Sequence, residues 1–398
     1  MIYIHVPFCR SFCTYCDFYS QIVGKTAECA ALDAGKTAGC AAGLSDEVFE
    51  RYTDDLSAEI QARREEIVAA AGVRTLYIGG GTPSVLPLEC LRRIVEKLRE
   101  VEATALAGGA SAGDWEEFTV EVNPEDIVER GPEYVRGLLE LGVDRISMGV
   151  QSLDPGMLRW MNRRHSADGA REAWRILSSV RANLQKDLSL SIDLISGVPG
   201  MDCAMLGRTL NEVLEWRPEH ISAYQLSVEE GSALARMIAD GRVAELPDEE
   251  CRAQYELVCQ KLGAAGYHHY EISNWALPRH EAVHNSAYWT RQPYVGLGPG
   301  AHSLEKLPQQ KGPKTSDPPA KKVGGPSKTA KIAGAPETGL QIRKWNSKQT
   351  IGWKEEGREV LSAEEIHEET VMLLARTDRG PIPERDWFVA DDLIADLL

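Results

Sequence analysis

The chain has 398 residues, 44 Lys and Arg against 60 Asp and Glu, a formal charge of −16, 43% hydrophobic residues and nine cysteines. That length buries a sizeable core, as two or three domains or as one large α/β domain with an appendage, and no apolar run approaches a membrane span. The acidity argues against nucleic acid as a ligand. The odd cysteine count and the lack of a signal peptide point to a reducing, cytoplasmic setting in which the cysteines are free thiols or metal ligands.

In chain order, strand-length apolar runs fall at 1–8, 74–80, 117–123, 145–151, 188–196 and 220–226, with amphipathic stretches at 46–71, 88–101, 132–141, 167–182 and 205–216 between them. Six β-then-α units argue for a parallel sheet with crossover helices, doubly wound or in a barrel, and either architecture gathers its chemistry past the carboxyl ends of the strands. Three segments interrupt the rhythm. Residues 21–43 and 104–114 are small-residue insertions. Residues 305–339 hold seven Lys, six Pro and five Gly, too little apolar surface to offset chain entropy, and are expected to be disordered or to serve as a basic tether for a membrane surface or an acidic partner. The stretch from Ser362 predicts a helix opened by a capping box, Ser362 with Glu365.

Directly after the first strand, HVPFCRSFCTYCDFYS places Cys9, Cys13 and Cys16 in a CxxxCxxC pattern. Three thiolates on one loop can converge on one inorganic centre. A structural zinc site would need a fourth ligand from elsewhere, such as His5 or a distant Cys, whereas a [4Fe-4S] cluster held by three cysteines keeps one iron open. His5 is expected to orient the loop rather than bind metal. GGGTP at 79–83 ends the second strand, where glycine backbone can approach a ligand closely. Cys29, Cys40, Cys90, Cys203, Cys251 and Cys259 show no ligand spacing.

CxxxCxxC with Tyr15 before the third cysteine resembles the radical S-adenosylmethionine (SAM) superfamily. The resemblance implies a partial (β/α)6 barrel resembling a TIM barrel, with extra C-terminal strands, and a cluster whose open iron is chelated by SAM. The stretches YIHVPFC, GGGTPS, EVNPE, GVDRISMGVQS, SIDLISGVPG and HISAYQLSVEEGS, spanning about residues 1–303 and resuming at RKWN near Trp345, resemble two relatives. These are the anaerobic coproporphyrinogen III dehydrogenases and the HemW-type haem chaperones. The resemblance assigns Tyr3, Gly80 and Glu121 to a first SAM site. It matches Tyr15, Gly81, Thr82, Gln151, Arg163, Asp193 and Ala223 to positions that hold a second SAM in the dehydrogenases.

Two departures favour the chaperones. Where the dehydrogenases have another cysteine two residues past the third, this chain has Phe18, and HNSAYW at 284–289 matches the chaperones' HNxxYW motif. That resemblance implies haem as cargo, an apo-haemoprotein such as a respiratory enzyme as recipient, and a ferredoxin or flavodoxin as reductant. His284, Tyr288 and Trp289 become candidate haem contacts, the imidazole as an axial ligand and the aromatic faces for stacking. Alternatively, Asn285 and Trp289 pin the segment that closes the barrel after Tyr270. The expected layout is a core barrel over 1–240, an extension over 241–357 carrying the HNxxYW motif and the basic insertion, and a shortened helical region over 358–398. Two other functions stay open at this point, the dehydrogenase and an iron–sulfur protein with neither activity.

Overall fold

The computed structural model describes residues 1–23, 46–70, 72–105, 114–184, 187–307 and 340–397. Most of the three interrupting segments, with Cys29 and Cys40, lies outside the described residues. Their margins do not. Gln21–Ile22 forms a short strand, Val23 is buried, and Glu305 and Lys306 end a strand, Glu305 pairing with Lys344. The insertions are therefore narrower than composition alone predicts.

The strands are β1 (Ile2–Val6), β2 (Phe8–Cys9), β3 (Gln21–Ile22), β4 (Thr75–Gly80), β5 (Glu117–Val122), β6 (Arg145–Gln151), β7 (Ser189–Ser196) and β8 (His220–Gln225). They continue as β9 (His268–Glu271), β10 (Asn274–Ala276), β11 (Val295–Leu297), β12 (His302–Lys306), β13 (Gln341–Asn346) and β14 (Glu355–Leu361). The helices are α1 (Asp46–Ala62), α2 (Arg64–Ala69), α3 (Leu88–Ala105), α4 (Pro124–Glu140), α5 (Pro155–Trp160) and α6 (Ala167–Ala182). After these come α7 (Cys203–Trp216), α8 (Ala233–Ala239), α9 (Asp248–Ala264), α10 (Val283–Trp289), α11 (Ala363–Ala375) and α12 (Ala390–Leu397).

The main sheet runs β11-β1-β4-β5-β6-β7-β8-β10-β9. Strands β1, β4, β5, β6, β7 and β8 pair in parallel in chain order, as six β/α units require, while β10 and β9 join antiparallel at one edge. The arc stays open, because β11 and β9 do not meet. Strands β12, β13 and β14 form a separate antiparallel sheet. No helix among the described residues is long and apolar enough to cross a membrane.

The strands alternate with period two. Phe118, Val120 and Val122 of β5, Ile146, Met148 and Val150 of β6, and Leu190, Ile192 and Leu194 of β7 are buried in the main core. Their neighbours Thr119, Glu121, Ser147, Gln151, Ser191 and Asp193 face the concave side. Helix α4 differs from expectation. It begins at Pro124, eight residues before the predicted start, and breaks at Gly131 (φ +69°), so that Pro132 opens a second piece whose lost N–H costs nothing. At Ser362 the capping box forms as read: its hydroxyl accepts from the Glu365 N–H at 3.2 Å, and the Glu365 carboxylate accepts from the Ser362 N–H at 2.7 Å.

Candidate functional site

The segment after β1 leaves the barrel rim, loops outward and is tied back. Gln21 N donates to Pro7 O at 2.7 Å, Val23 N donates to Cys9 O at 2.7 Å, and His5 Nε2 meets Tyr19 O at 2.8 Å, which places His5 in the orienting position the sequence suggests. The loop is also held from the side. Thr14 Oγ1 donates to Trp160 O at 2.7 Å, Asn162 Nδ2 to Phe12 O at 2.7 Å, and Leu234 N to Thr14 O at 2.8 Å.

So anchored, Cys9, Cys13 and Cys16 all line one cavity of about 440 Å³ that descends into the barrel. Tyr15, Gly80, Gly81, Thr82, Glu121, Gln151, Arg163 and Asp193 line the same cavity, although they are spread over more than 170 residues of sequence. Phe18, 65% exposed, stands at its wall. Among the other described cysteines, Cys90 and Cys251 are buried and Cys259 is partly buried, as small hydrophobes would be, whereas Cys203 is exposed.

A chain of hydrogen bonds links two of the thiols. Cys9 Sγ lies 3.5 Å from Thr82 Oγ1, and Asn123 Nδ2 donates to Thr82 Oγ1 at 3.0 Å. Arg163 Nη2 donates to Asn123 Oδ1 at 2.5 Å and to Gly149 O at 2.8 Å, while its Nη1 donates to Cys13 Sγ at 3.2 Å. Burial pushes the Cys9 thiol up and the Cys16 thiol up to about 12, so in the free protein both hold their protons.

Two half-buried carboxylates, Glu121 and Asp193, line the cavity. Glu121 accepts from Tyr77 OH at 2.6 Å and from Gly80 N at 3.2 Å, and burial raises it to about 7. Asp193 accepts from Ser147 Oγ at 3.0 Å, and burial raises it to about 6. The glycine turn permits this closeness. A Cβ on Gly81 would stand 2.7 Å from Phe8 O, and Gly80, at φ +107°, would drive one into the His5 ring at 2.5 Å. Gln151 holds a left-handed φ of +64° at a bulge in the β6 to β7 pairing, a conformation that costs a non-glycine residue energy and aims its side chain into the cavity.

The remaining predicted residues lie elsewhere. Tyr3 does not line the cavity; it packs near Tyr77 and places its OH 3.0 Å from His5 Nδ1. The Ala223 side chain is buried with Ile221 on the outer face, because strand period assigns the concave side to Ser222 and Tyr224. His284 is 1% exposed, with Nδ1 2.7 Å from Thr75 Oγ1 and Nε2 3.2 Å from Tyr288 OH. Both ring nitrogens are thus occupied at the foot of the barrel, and burial lowers its pKa to about 3. Haem ligation by His284 would require one of those bonds to break. From the same helix it is Asn285 that reaches the cluster-side cavity, while Trp289 lines a separate one.

Sequence reading passed over Glu117, Arg145, Asn123 and His220. Glu117 accepts from Val283 N and His284 N, each at 2.9 Å, and faces Arg145 Nε at 3.7 Å. The carboxylate therefore caps α10 and locks it under the barrel. The signal that could have found Glu117, Arg145 and His220 is the polar–apolar alternation of EFTVEV, RISMGVQ and HISAYQ, and Asn123 directly follows the first of these.

Residues 3–213 match the radical SAM superfamily profile. The haem chaperone HemW of Mycobacterium tuberculosis is 35% identical over 301 residues, 76% of this chain and 68% of its own length, and HemW of Bacillus subtilis is 31% identical over 303 residues, 75% and 69%. The chain belongs to the radical SAM superfamily and, within it, to the HemW family. The coproporphyrinogen III oxidase HemN of Escherichia coli superposes with a TM-score of 0.63 at 19% identity, covering all of this chain and 81% of its own, which is a likeness of fold. Membership in the superfamily implies a [4Fe-4S] cluster and SAM, and this HemW-family site suits them. Three thiols on one loop that line a single cavity suit a cluster, whose irons can each take a different ligand.

Proposed function

We propose that this protein is a radical-SAM-type haem chaperone. In this reading it holds a [4Fe-4S] cluster on Cys9, Cys13 and Cys16, binds SAM beside it, takes up haem and delivers it to an apo-haemoprotein such as a respiratory enzyme. The observation that carries the reading is membership in the HemW family, joined to Phe18 at the position where the dehydrogenases carry a further cysteine. Bound SAM would supply the sulfonium that a reduced cluster can cleave. The chain's own residues do the positioning. Gly80 and Gly81 allow close backbone approach, Thr82 stands beside the Cys9 thiol, Arg163 donates to the Cys13 sulfur, and Glu121 and Asp193 present acceptors toward a cationic ligand. Reduction by a ferredoxin or flavodoxin and a cytoplasmic location, with or without peripheral membrane attachment, complete the proposal.

The test is anaerobic. Protein reconstituted with iron and sulfide is incubated with SAM and dithionite, once with haem and once with coproporphyrinogen III. Stoichiometric haem uptake without porphyrinogen turnover is the expected result, and formation of protoporphyrinogen would overturn it.

A further inference from the structure

Asn123 directly follows β5 and occupies the N-cap position of α4, where an asparagine side chain ordinarily accepts from a backbone N–H of the first turn. Here it makes no such bond. The backbone is held without it. Asn123 N donates to Ser84 Oγ at 3.2 Å, Ser84 Oγ donates to Asp126 Oδ2 at 2.6 Å, and Asn123 O accepts from Asp126 N at 3.1 Å and from Ile127 N at 3.3 Å. The side-chain amide is released from the helix and turned into the cysteine cavity, where both of its ends are engaged. A residue that forgoes its local role points to a functional one.

The orientation of the amide follows from its partners. A guanidinium can only donate, so the atom 2.5 Å from Arg163 Nη2 is Oδ1, and Nδ2 necessarily faces Thr82 Oγ1, to which it donates at 3.0 Å. With that acceptor position of Thr82 filled, its hydroxyl proton is free to point at Cys9 Sγ, 3.5 Å away, when the sulfur is a thiolate and can only accept. On the other arm, Arg163 Nη1 donates to Cys13 Sγ at 3.2 Å. Gly149 leaves room for this arm: a Cβ there would stand 3.3 Å from Arg163 Nη2 and 3.5 Å from Asn123 Oδ1. One amide thus fixes the donors aimed at two different thiols. Hydrogen bonds to the sulfurs of a cluster help to set its reduction potential, and they do so only while the donors stay aimed.

We infer that Asn123 is a positioning residue for cluster reduction, its amide aiming Arg163 at Cys13 and Thr82 at Cys9. The inference goes beyond the proposed cluster site and rests on it. The experiment is a redox titration, read by electron paramagnetic resonance, of the full chain reconstituted with iron and sulfide and kept free of SAM, so that a contact to SAM cannot move the result. Wild type, Asn123→Leu, Arg163→Met and the double variant are compared, with iron content and thermal melts checking loading and folding. Asn123→Leu should hold roughly tenfold less reduced cluster at a given potential, a fall in midpoint of about 59 mV for one electron. In the Arg163→Met background the same change should have a smaller effect, because the Cys13 arm is already gone. The midpoint is read on loaded cluster alone, so partial occupancy does not imitate a shift. Should Asn123→Leu fail to load, Asn123→Asp takes its place: it keeps an acceptor for Arg163 but draws the Thr82 proton away from Cys9, and its midpoint should also fall. An unchanged midpoint, or an equal fall in both backgrounds, overturns the positioning role while the cluster assignment stands. If the wild type takes up no cluster, that assignment itself fails.

Discussion

Arg163 donates through Nη1 to the sulfur of Cys13 at 3.2 Å, across 150 residues of sequence. Its other terminal nitrogen is fixed by Asn123 and by the Gly149 carbonyl, so the guanidinium cannot swing away without breaking two further bonds. A fixed positive donor on a cluster thiolate withdraws charge from the sulfur and eases reduction. Replacement by Met should leave the iron content of the reconstituted protein unchanged and make the cluster harder to reduce. A redox titration followed by electron paramagnetic resonance reads the shift, and an unchanged or raised potential would remove the tuning role.

In the proposed site each thiolate would serve a different iron, so Cys13→Ala should abolish the visible absorbance of a reconstituted [4Fe-4S] cluster. Cys90→Ala should preserve it, since Cys90 is buried in the main core beside α1. A retained cubane spectrum in Cys13→Ala would sink the ligand assignment.

Glu117 is buried, only 5% exposed, and its carboxylate faces Arg145 and accepts from the first two N–H groups of α10. Removing one partner of a buried ion pair leaves the other uncompensated. Glu117→Ala should cost about 3 to 5 kcal/mol in urea unfolding, with Glu117→Gln losing less because it keeps an acceptor for α10. A loss of under about 1 kcal/mol in the Ala variant would show that water replaces the pair.

Burial raises Glu271 from its ordinary 4.5 to about 7, outweighing the bonds from Asn274 and Ser273 that favour its charged form. The native state therefore keeps a proton that the unfolded chain has lost once pH exceeds about 4.5. Stability contributed by this group is complete below that pH, falls as pH rises through about 7, and stays low above it. Glu271→Gln, which has no charge to bury, should gain on the order of 2 kcal/mol over wild type at pH 8 and almost nothing at pH 4.5. An equal gain at both pH values would point to packing instead.

The barrel order was legible because each strand carries its own apolar run and each β/α unit is local in sequence. The start of α1 at Asp46, the span Ala167–Ala182 and the Ser362 cap needed no distant information, whereas the single stretch expected over 46–71 divides into α1 and α2. The start of α4 was missed because Pro132 resembles a helix start, whereas Asn123–Pro124 and Gly131 make it the restart of a broken one. The margins of the insertions were missed because Gln21, Glu305 and Lys306 acquire partners only when Pro7 and β13 arrive beside them.

Within the site, the sequence by itself determined the cysteine spacing, the glycine turn and the family, since these are local chemistry written in adjacent residues. Only the tertiary structure decided which face each side chain occupies. A shift of one residue along a strand exchanges lumen for core, which is why Asp193 lines the cavity and Ala223 does not. It also decided the fate of the HNxxYW motif, because burial of a histidine depends on what lies above it, and here Thr75 and Tyr288 close over His284 while Trp289 of the same short helix lines a separate cavity.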